Sequence, residues 1–284
     1  MEIINRKQRM SSLARKLRRE NKTVGFVPTM GALHEGHLSL VREARQMCDI
    51  VIVSIFVNPT QFTANEDYEK YPRDLTTDAA LLTEYHVDYI FAPSAEEIYP
   101  EGFSTFVEVE NLSETLEGVV RPGHFRGVAT VVTILFNTIR PDYAFFGQKD
   151  AQQTVIVKRL TKDLGYETEI VVLPIVREES GLALSSRNAY LNEEERRAAP
   201  IIYQSLRAAK IAFKEGERNA GRLAQIAEEK ISTEPLAQID YVAVVDAETL
   251  VPVERVDEKQ VLIAVAVRFG KTRLIDNVIL NRKQ

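Results

Sequence analysis

Short β-branched and aromatic runs alternate with longer stretches whose apolar residues recur at helical spacing, and this alternation continues through the first 176 positions. Val24-Gly25-Phe26-Val27 is an apolar run stopping at Pro28, and Leu38-Ser39-Leu40-Val41 through Met47-Cys48 has the period of a helix. The pattern predicts a strand, a turn from Pro28 to His37, then a helix. Ile50 to Val57 is nearly uninterrupted and β-branched, as expected of a strand buried on both faces of a parallel sheet, so a βαβ unit is complete by residue 57. Beyond Tyr71-Pro72-Arg73, a helix is expected through Tyr85 with Asp74 or Thr76 as its cap, then a strand over Val87 to Phe91. Thr105 to Val109 reads as a further strand and Leu112 to Val120 as a short helix. Val128 to Ile139 is apolar nearly all round and predicts a buried helix. A strand at Tyr143 to Phe146, a helix from Ala151 to about Leu164 and a strand at Thr168 to Leu173 close the series. This is the pattern of an α/β fold with a doubly wound, Rossmann-like parallel sheet over residues 1–176.

The pattern then changes. Helices are expected near Glu193 to Glu215 and Ala220 to Ser232, followed by strands at Ile239 to Val245, Val261 to Phe269 and Thr272 to Leu280. Gly270-Lys271 links the last two as a hairpin, so residues 177–284 are expected to form a smaller α+β domain with an antiparallel sheet. At the other end, Arg6 to Arg19 is basic but spaces Met10, Leu13 and Leu17 for one helical face. A transit peptide or nucleic-acid arm has such charge, and so does a solvated amphipathic helix, which is the reading adopted.

Composition narrows the class. With 284 residues and 45% hydrophobic content the chain has ample core, and 36 basic against 41 acidic residues, net −5, exclude a wholesale nucleic-acid binder. The lone cysteine, Cys48, excludes an internal disulfide framework and a cysteine-built zinc site; its apolar helical setting indicates simple packing. There is no apolar signal core at the start. The most apolar stretch, Gly127 to Phe136, is about half the ~20 residues of a membrane span, so a cytoplasmic protein that engages neither membrane nor nucleic acid is expected.

Candidate chemistry sits where strands meet helices. Unpaired N–H groups and the helix dipole make the Pro28 to His37 turn an anion site suited to phosphate, with Gly31 and Gly36 in it and His34 and His37 on one face. A histidine pair also serves as a structural cap. Asn58 and Gln61 follow the next strand, where open α/β sheets bind ligands, although turn chemistry alone uses the same residues. Arg121, His124 and Arg126 make a loop rich enough in cations to face an anion, or an ordinary surface loop. Lys149, in Gly147-Gln148-Lys149-Asp150, is a phosphate ligand or a solvated lysine. Ser185, Ser186 and Arg187 together donate several hydrogen bonds of the kind a polyphosphate accepts.

Taken together, the His-Glu-Gly-His, Gly-Gln-Lys-Asp and Ser-Ser-Arg turns resemble the His-x-Gly-His nucleotidyltransferase superfamily. Six motifs in order narrow the match: Pro28 to His37, Phe56 to Phe62, Tyr71-Pro72-Arg73, Arg121 to Val128, Phe146 to Asp150 and Leu184 to Asn188. They resemble the pantoate–β-alanine ligase (pantothenate synthetase) family essentially end to end.

That resemblance implies ATP-dependent condensation of pantoate with β-alanine to pantothenate, with AMP and pyrophosphate released, on the route to coenzyme A. It implies that ATP is held by Met30, Gly31, Ala32, Leu33, His34, Glu35, Gly36 and His37. Further ATP residues are Gly147, Gln148, Lys149, Asp150, Val176, Leu184, Ser185, Ser186 and Arg187. Gln61 and Gln153 would grip pantoate, with Gln61 also near β-alanine, and Asn58, Arg121 and His124 complete the substrate set. His37 takes the proton-donor position, Asp78 the magnesium site, and a homodimer is expected. Leu184 stands where many relatives carry Met, which keeps the apolar bulk beside the adenine.

The chemistry stands without the name. A carboxylate and an amine do not condense in water, so the carboxylate is first activated on the α-phosphorus of ATP. Positioning and charge neutralisation are then the protein's tasks, assigned to His34, His37, Lys149, Ser185, Ser186, Arg187 and Mg²⁺. The acyl adenylate hydrolyses readily, which gives the smaller domain a lid-like role. Competing readings are an adenylyltransferase that transfers AMP to a phosphate, a nucleotide sensor, and an aminoacyl-tRNA synthetase relative.

Overall fold

Strands Val24–Thr29 (β2), Ile50–Ile55 (β3) and Tyr143–Gly147 (β5) are buried along almost their whole length, as uninterrupted β-branched and aromatic runs require. The computed structural model describes residues 1–62, 68–69, 71–257 and 259–281. Around these strands lie Glu2–Ile4 (β1), Tyr89–Phe91 (β4) and Glu169–Leu173 (β6), with helices Lys7–Arg19 (α1), Glu35–Met47 (α2), Leu75–Glu84 (α3), Ala95–Ile98 (α4), Glu117–Val120 (α5), His124–Ile139 (α6) and Ala151–Asp163 (α7). Glu193–Ala198 (α8), Ile201–Lys214 (α9) and Ala220–Ile231 (α10) precede Ala237–Asp246 (β7), Val261–Phe269 (β8) and Thr272–Leu280 (β9). The chain divides into two compact units, Met1–Gly147 with Ile156–Pro174, and Gln148–Val155 with Ile175–Gln284.

In the first unit six parallel strands run in the order β1-β4-β3-β2-β5-β6. The chain winds outward from β2 through β3 to β4, then restarts beside β2 with β5 and proceeds to β6. The winding therefore reverses between the carboxyl ends of β2 and β5, at Thr29 and Gly147, the crevice where open α/β sheets place their ligands. One core cluster joins Val27, Val51, Val53 and Phe145 of the sheet to Leu38, Val41, Ala44 and Cys48. Cys48 packs on Gly25: a Cβ there would lie 2.8 Å from the sulfur, and burial pushes the thiol up to about 11. Phe26 meets Phe136 edge-on at 6.3 Å.

α1 buries Met10, Ala14 and Leu17 and leaves its arginines to surface ion pairs such as Arg9–Glu2 and Arg18–Glu167. The buried stripe thus runs through Ala14, with the expected Leu13 only half-buried. No strand forms at Thr105 to Val109: the Val107 N–H donates to the Thr130 hydroxyl of α6 (3.0 Å), so this backbone pairs with a side chain rather than a sheet edge. Of the expected Leu112 to Val120 helix only α5 is helical. α6 starts four residues earlier than its apolar run because Gly123, at φ 81, turns the chain sharply into His124.

The second unit carries β7-β8-β9 as an antiparallel sheet, with α9 and α10 packed on its core. Phe269 pairs with Thr272 across the Gly270-Lys271 hairpin. The continuous helix expected over Glu193 to Glu215 is broken: α8 stops at Ala198 and α9 restarts after Pro200, whose ring has no N–H for a through-running helix.

Candidate active site

The turn after β2 is built by hydrogen bonds that fix its histidines. Thr29 donates its hydroxyl to the Ser54 carbonyl (2.7 Å) and accepts the Gly31 N–H (3.2 Å). Gly31 sits at φ +83, where a side chain would also strike the Asp78 carboxylate at 2.9 Å. Asp78, on α3 and only 4% exposed, accepts the Ala32 N–H at 3.0 Å on one oxygen and the Leu33 N–H at 2.9 Å on the other. Burial raises its pKa, against the pull of those two amides.

The imidazoles follow. His34 caps α2, its Nδ1 accepting the Gly36 N–H (3.1 Å), and His37 Nδ1 accepts the His34 N–H (3.3 Å). The rings lie side by side, tilted at 37° with centroids 4.1 Å apart. Because an amide N–H only donates, each Nδ1 is unprotonated and each neutral ring carries its proton on Nε2. Both histidines thus offer a donor at a helix N-terminus. Glu35 is held by an ion pair to Arg42.

Asn58 and Gln61 follow β3 on the one-turn helix Pro59–Gln61. Asn58, 1% exposed, accepts the Tyr99 hydroxyl (2.7 Å) and donates to Gln61 Oε1 and the Gly127 carbonyl, both at 3.1 Å. With Oε1 taken, the Gln61 amide turns Nε2 toward the Met30 sulfur (2.8 Å). The Gln61 carbonyl accepts from His124 Nδ1 (2.7 Å), and Arg121 lies 3.1 Å from His124 Nε2. A carbonyl only accepts and a guanidinium only donates, so His124 is neutral with its proton on Nδ1. One network therefore joins Met30, Asn58, Gln61, Arg121 and His124. Sequence reasoning missed Tyr99, which lies in no motif, and gave Thr29, inside the Pro28 to His37 motif, no role of its own.

Gly147 ends β5 in the first unit, and the remaining candidates belong to the second. Gln148, Lys149 and Asp150 form one turn of helix ahead of α7, with Lys149 Nζ 3.7 Å from Asp150, and Gln153 is half-buried on the first turn of α7. Val176 accepts the Leu184 N–H (3.0 Å), and Arg177 bridges to Ala183. Ser185 caps the helical turn Ser186–Tyr190 by accepting the Arg187 N–H (3.3 Å). Val176, Leu184, Ser185, Ser186 and Arg187 are all half-buried.

A doubly wound parallel sheet whose switch point is lined by N–H donors and imidazoles defines a nucleotide-using α/β enzyme. More narrowly, the chain belongs to the pantoate-beta-alanine ligase family, whose model matches residues 2–279. It is 60% identical over 264 residues, 93% of each chain, to a pantothenate synthetase of Carboxydothermus hydrogenoformans. The crystal structure of the pantothenate synthetase of Thermus thermophilus superposes with a TM-score of 0.92 at 47% identity, covering 98% of this chain and 99% of that one. That of the Francisella tularensis pantoate-beta-alanine ligase, complexed with beta-gamma ATP and beta-alanine, gives 0.81 at 37% identity, covering 98% and 97%.

Proposed function

We propose that this chain joins pantoate to β-alanine at the expense of ATP, through a pantoyl adenylate. A pantoate carboxylate oxygen attacks the α-phosphorus of ATP, the bond to pyrophosphate breaks, and the β-alanine amine then displaces AMP from the mixed anhydride. The observation that carries this reading is the committed Nδ1 of both His34 and His37, which makes each Nε2 an N–H donor at the start of α2. His37 is the proton donor and His34 its companion; Lys149, Ser185, Ser186 and Arg187 neutralise charge spreading over the phosphates. Met30 to His37, Gly147 to Asp150, Val176 and Leu184 to Arg187 take ATP. Gln61 and Gln153, with Asn58, Arg121 and His124, take the acid and the amine.

Mg²⁺ enters this reading as the counter-ion of ATP. Asp78 is the residue assigned to it: its buried carboxylate accepts one backbone amide on each oxygen and keeps a second lone pair on each, and a magnesium held mainly by ATP phosphates needs only one or two protein carboxylates. Asp78 also fixes the turn, through those same two amides.

In this proposal residues 1–176 form the nucleotide- and pantoate-binding domain, apart from Gln148–Val155 and residues 175–176, which pack with the second unit, and residues 177–284 the lid-like one that protects the anhydride from water. A cytoplasmic setting is part of the proposal, and no helix among the described residues is long and apolar enough to cross a membrane. A homodimer is proposed from the family resemblance and from the apolar segment near Ile98 to Val109, in which Phe106 is 39% exposed. Sedimentation at micromolar concentration showing only a 32.1 kDa species removes it.

The functional test is pyrophosphate release from ATP and pantoate without β-alanine. A burst of about one equivalent per site is expected, turning to steady release when β-alanine is added. Release that is independent of pantoate, or that requires a phosphorylated acceptor, replaces this reading with an adenylyltransferase.

A further inference from the structure

β9 carries two adjacent polar residues, Asp276 and Asn277, that are 3% and 4% exposed. Neighbours in a strand point to opposite faces, so one polar side chain is buried on each side of the sheet. Asp276 shares the face of Leu274 and Leu280, which belong to the apolar core. There its carboxylate takes both guanidinium nitrogens of Arg177, at 2.5 and 2.9 Å, and Arg177 also donates to the Gly181 carbonyl (3.1 Å) and lies 4.0 Å over the Tyr203 ring. Arg177 is the residue after Val176, in the hairpin that leads to Ser185, Ser186 and Arg187.

Asn277 works on the other face. Its Nδ2 donates to the Gln148 and Lys149 carbonyls, both at 3.0 Å, and its Oδ1 accepts the Gln148 Nε2–H at 3.0 Å. Both N–H donors and one of the two lone pairs of the carboxamide are used, and all three bonds go to the turn that carries Lys149. Directly opposite on β8 stands Ala264, small enough to leave that turn room against the sheet. Asp276 and Asn277 are themselves tied, since the Asn277 N–H donates to Asp276 Oδ1 (2.7 Å).

We infer that Asp276 and Asn277 are positioning residues for the adenylation step: Asn277 sets where Lys149 stands, and Asp276, through Arg177, sets the Val176 to Arg187 segment. The inference rests on the reading that Lys149 and Arg187 act on ATP. A buried carboxylate inside an apolar core and a buried carboxamide that makes three hydrogen bonds are costly merely as filler, because apolar residues of the same volume serve packing equally well. Their bonds lead to both nucleotide segments of this unit.

Asn277→Asp keeps the shape of the side chain and removes both N–H donors, while Asn277→Ala removes shape and donors together. Lys149 acts on charge that grows in the transition state, so displacing it lowers kcat for pantoate-dependent pyrophosphate release, by about 10²-fold for a shift near 1 Å, and leaves the KM for ATP within about threefold. Both variants are expected to show this split while melting above the assay temperature. Parental kcat in either folded variant, or a change confined to KM, overturns the inference. A parental protein that gives no pantoate-dependent release overturns the functional reading instead. A measurement without any variant decides the structural half: the Asn277 carboxamide protons exchange with water at least about tenfold more slowly than those of exposed asparagines, and unprotected protons there overturn the positioning role.

Discussion

The turn that carries His34 and His37 is fixed mostly by itself, whereas the turn that carries Lys149 is fixed from far along the chain. In the first, each imidazole takes an N–H from within the turn, and the remote clamp, Asp78, is 45 and 46 residues away from the amides it holds. In the second, Gln148 and Lys149 depend on Asn277, 129 and 128 residues distant. The difference follows from chemistry. Backbone N–H groups at the start of α2 supply donors wherever a helix begins, and imidazoles can cap them locally. The Gln148 and Lys149 carbonyls, on the one-turn helix Gln148–Asp150, accept from Asn277, a donor on another element. Both turns are legible from short motifs; the distant residue that holds the second one, Asn277, is not.

The contrast is tested most strongly at Lys149. Lys149→Ala is expected to lower kcat for adenylate formation by roughly 10²- to 10³-fold, the effect of losing one electrostatic donor, with unchanged thermal stability. Rapid mixing of enzyme, ATP and pantoate reads it, and parental rates at saturation would pass the role to the histidines or Arg187.

Asp78→Ala tests the other turn. Two amides lose their acceptor, so the unfolding free energy is expected to fall by about 1–3 kcal/mol, measured by urea denaturation. Amide protection at Gln148 to Asp150 should stay as it was. Loss of protection there would mean that the two turns share one support, and the comparison would collapse.

The smallest effect concerns the strand that leads into the histidine turn. Burial against Gly25 holds the Cys48 thiol near 11, so at pH 8 the native protein presents on the order of one thiolate in a thousand and should react with a disulfide reagent only on unfolding. Reaction of the native protein at the rate of a free thiol would show that the β2–α2 corner opens readily.

Much of the fold was readable because burial on both faces leaves a continuous apolar signature: β2, β3 and β5 were placed to within a residue or two, and the Gly270-Lys271 hairpin fell where its turn chemistry put it. Thr105 to Val109 failed because its apolar residues satisfy their backbone on Thr130, a partner no local pattern reveals. The start of α6 failed because His124 and Arg126 look like loop residues until Gly123 bends the chain into them. Pro200 was in plain view; the helical period on either side of it outweighed the break.

The site divides the same way. His34, His37, Asn58 and Lys149 stand at strand ends, where the fold puts ligands. Asp276 and Asn277 lie in the middle of a strand, but they carried one unused signal: two successive polar residues interrupting an apolar run leave one of them facing inward whatever the register.

Synthesis runs from the amino end, so the Lys149 turn leaves the ribosome about 130 residues before the strand that holds it. At roughly 5–20 residues per second, the Gln148 and Lys149 carbonyls stay bound to water for on the order of ten seconds, long after the sheet that ends in Gly147 has its partners. A nascent chain can therefore carry a formed histidine turn beside a lysine turn that still awaits its last strand.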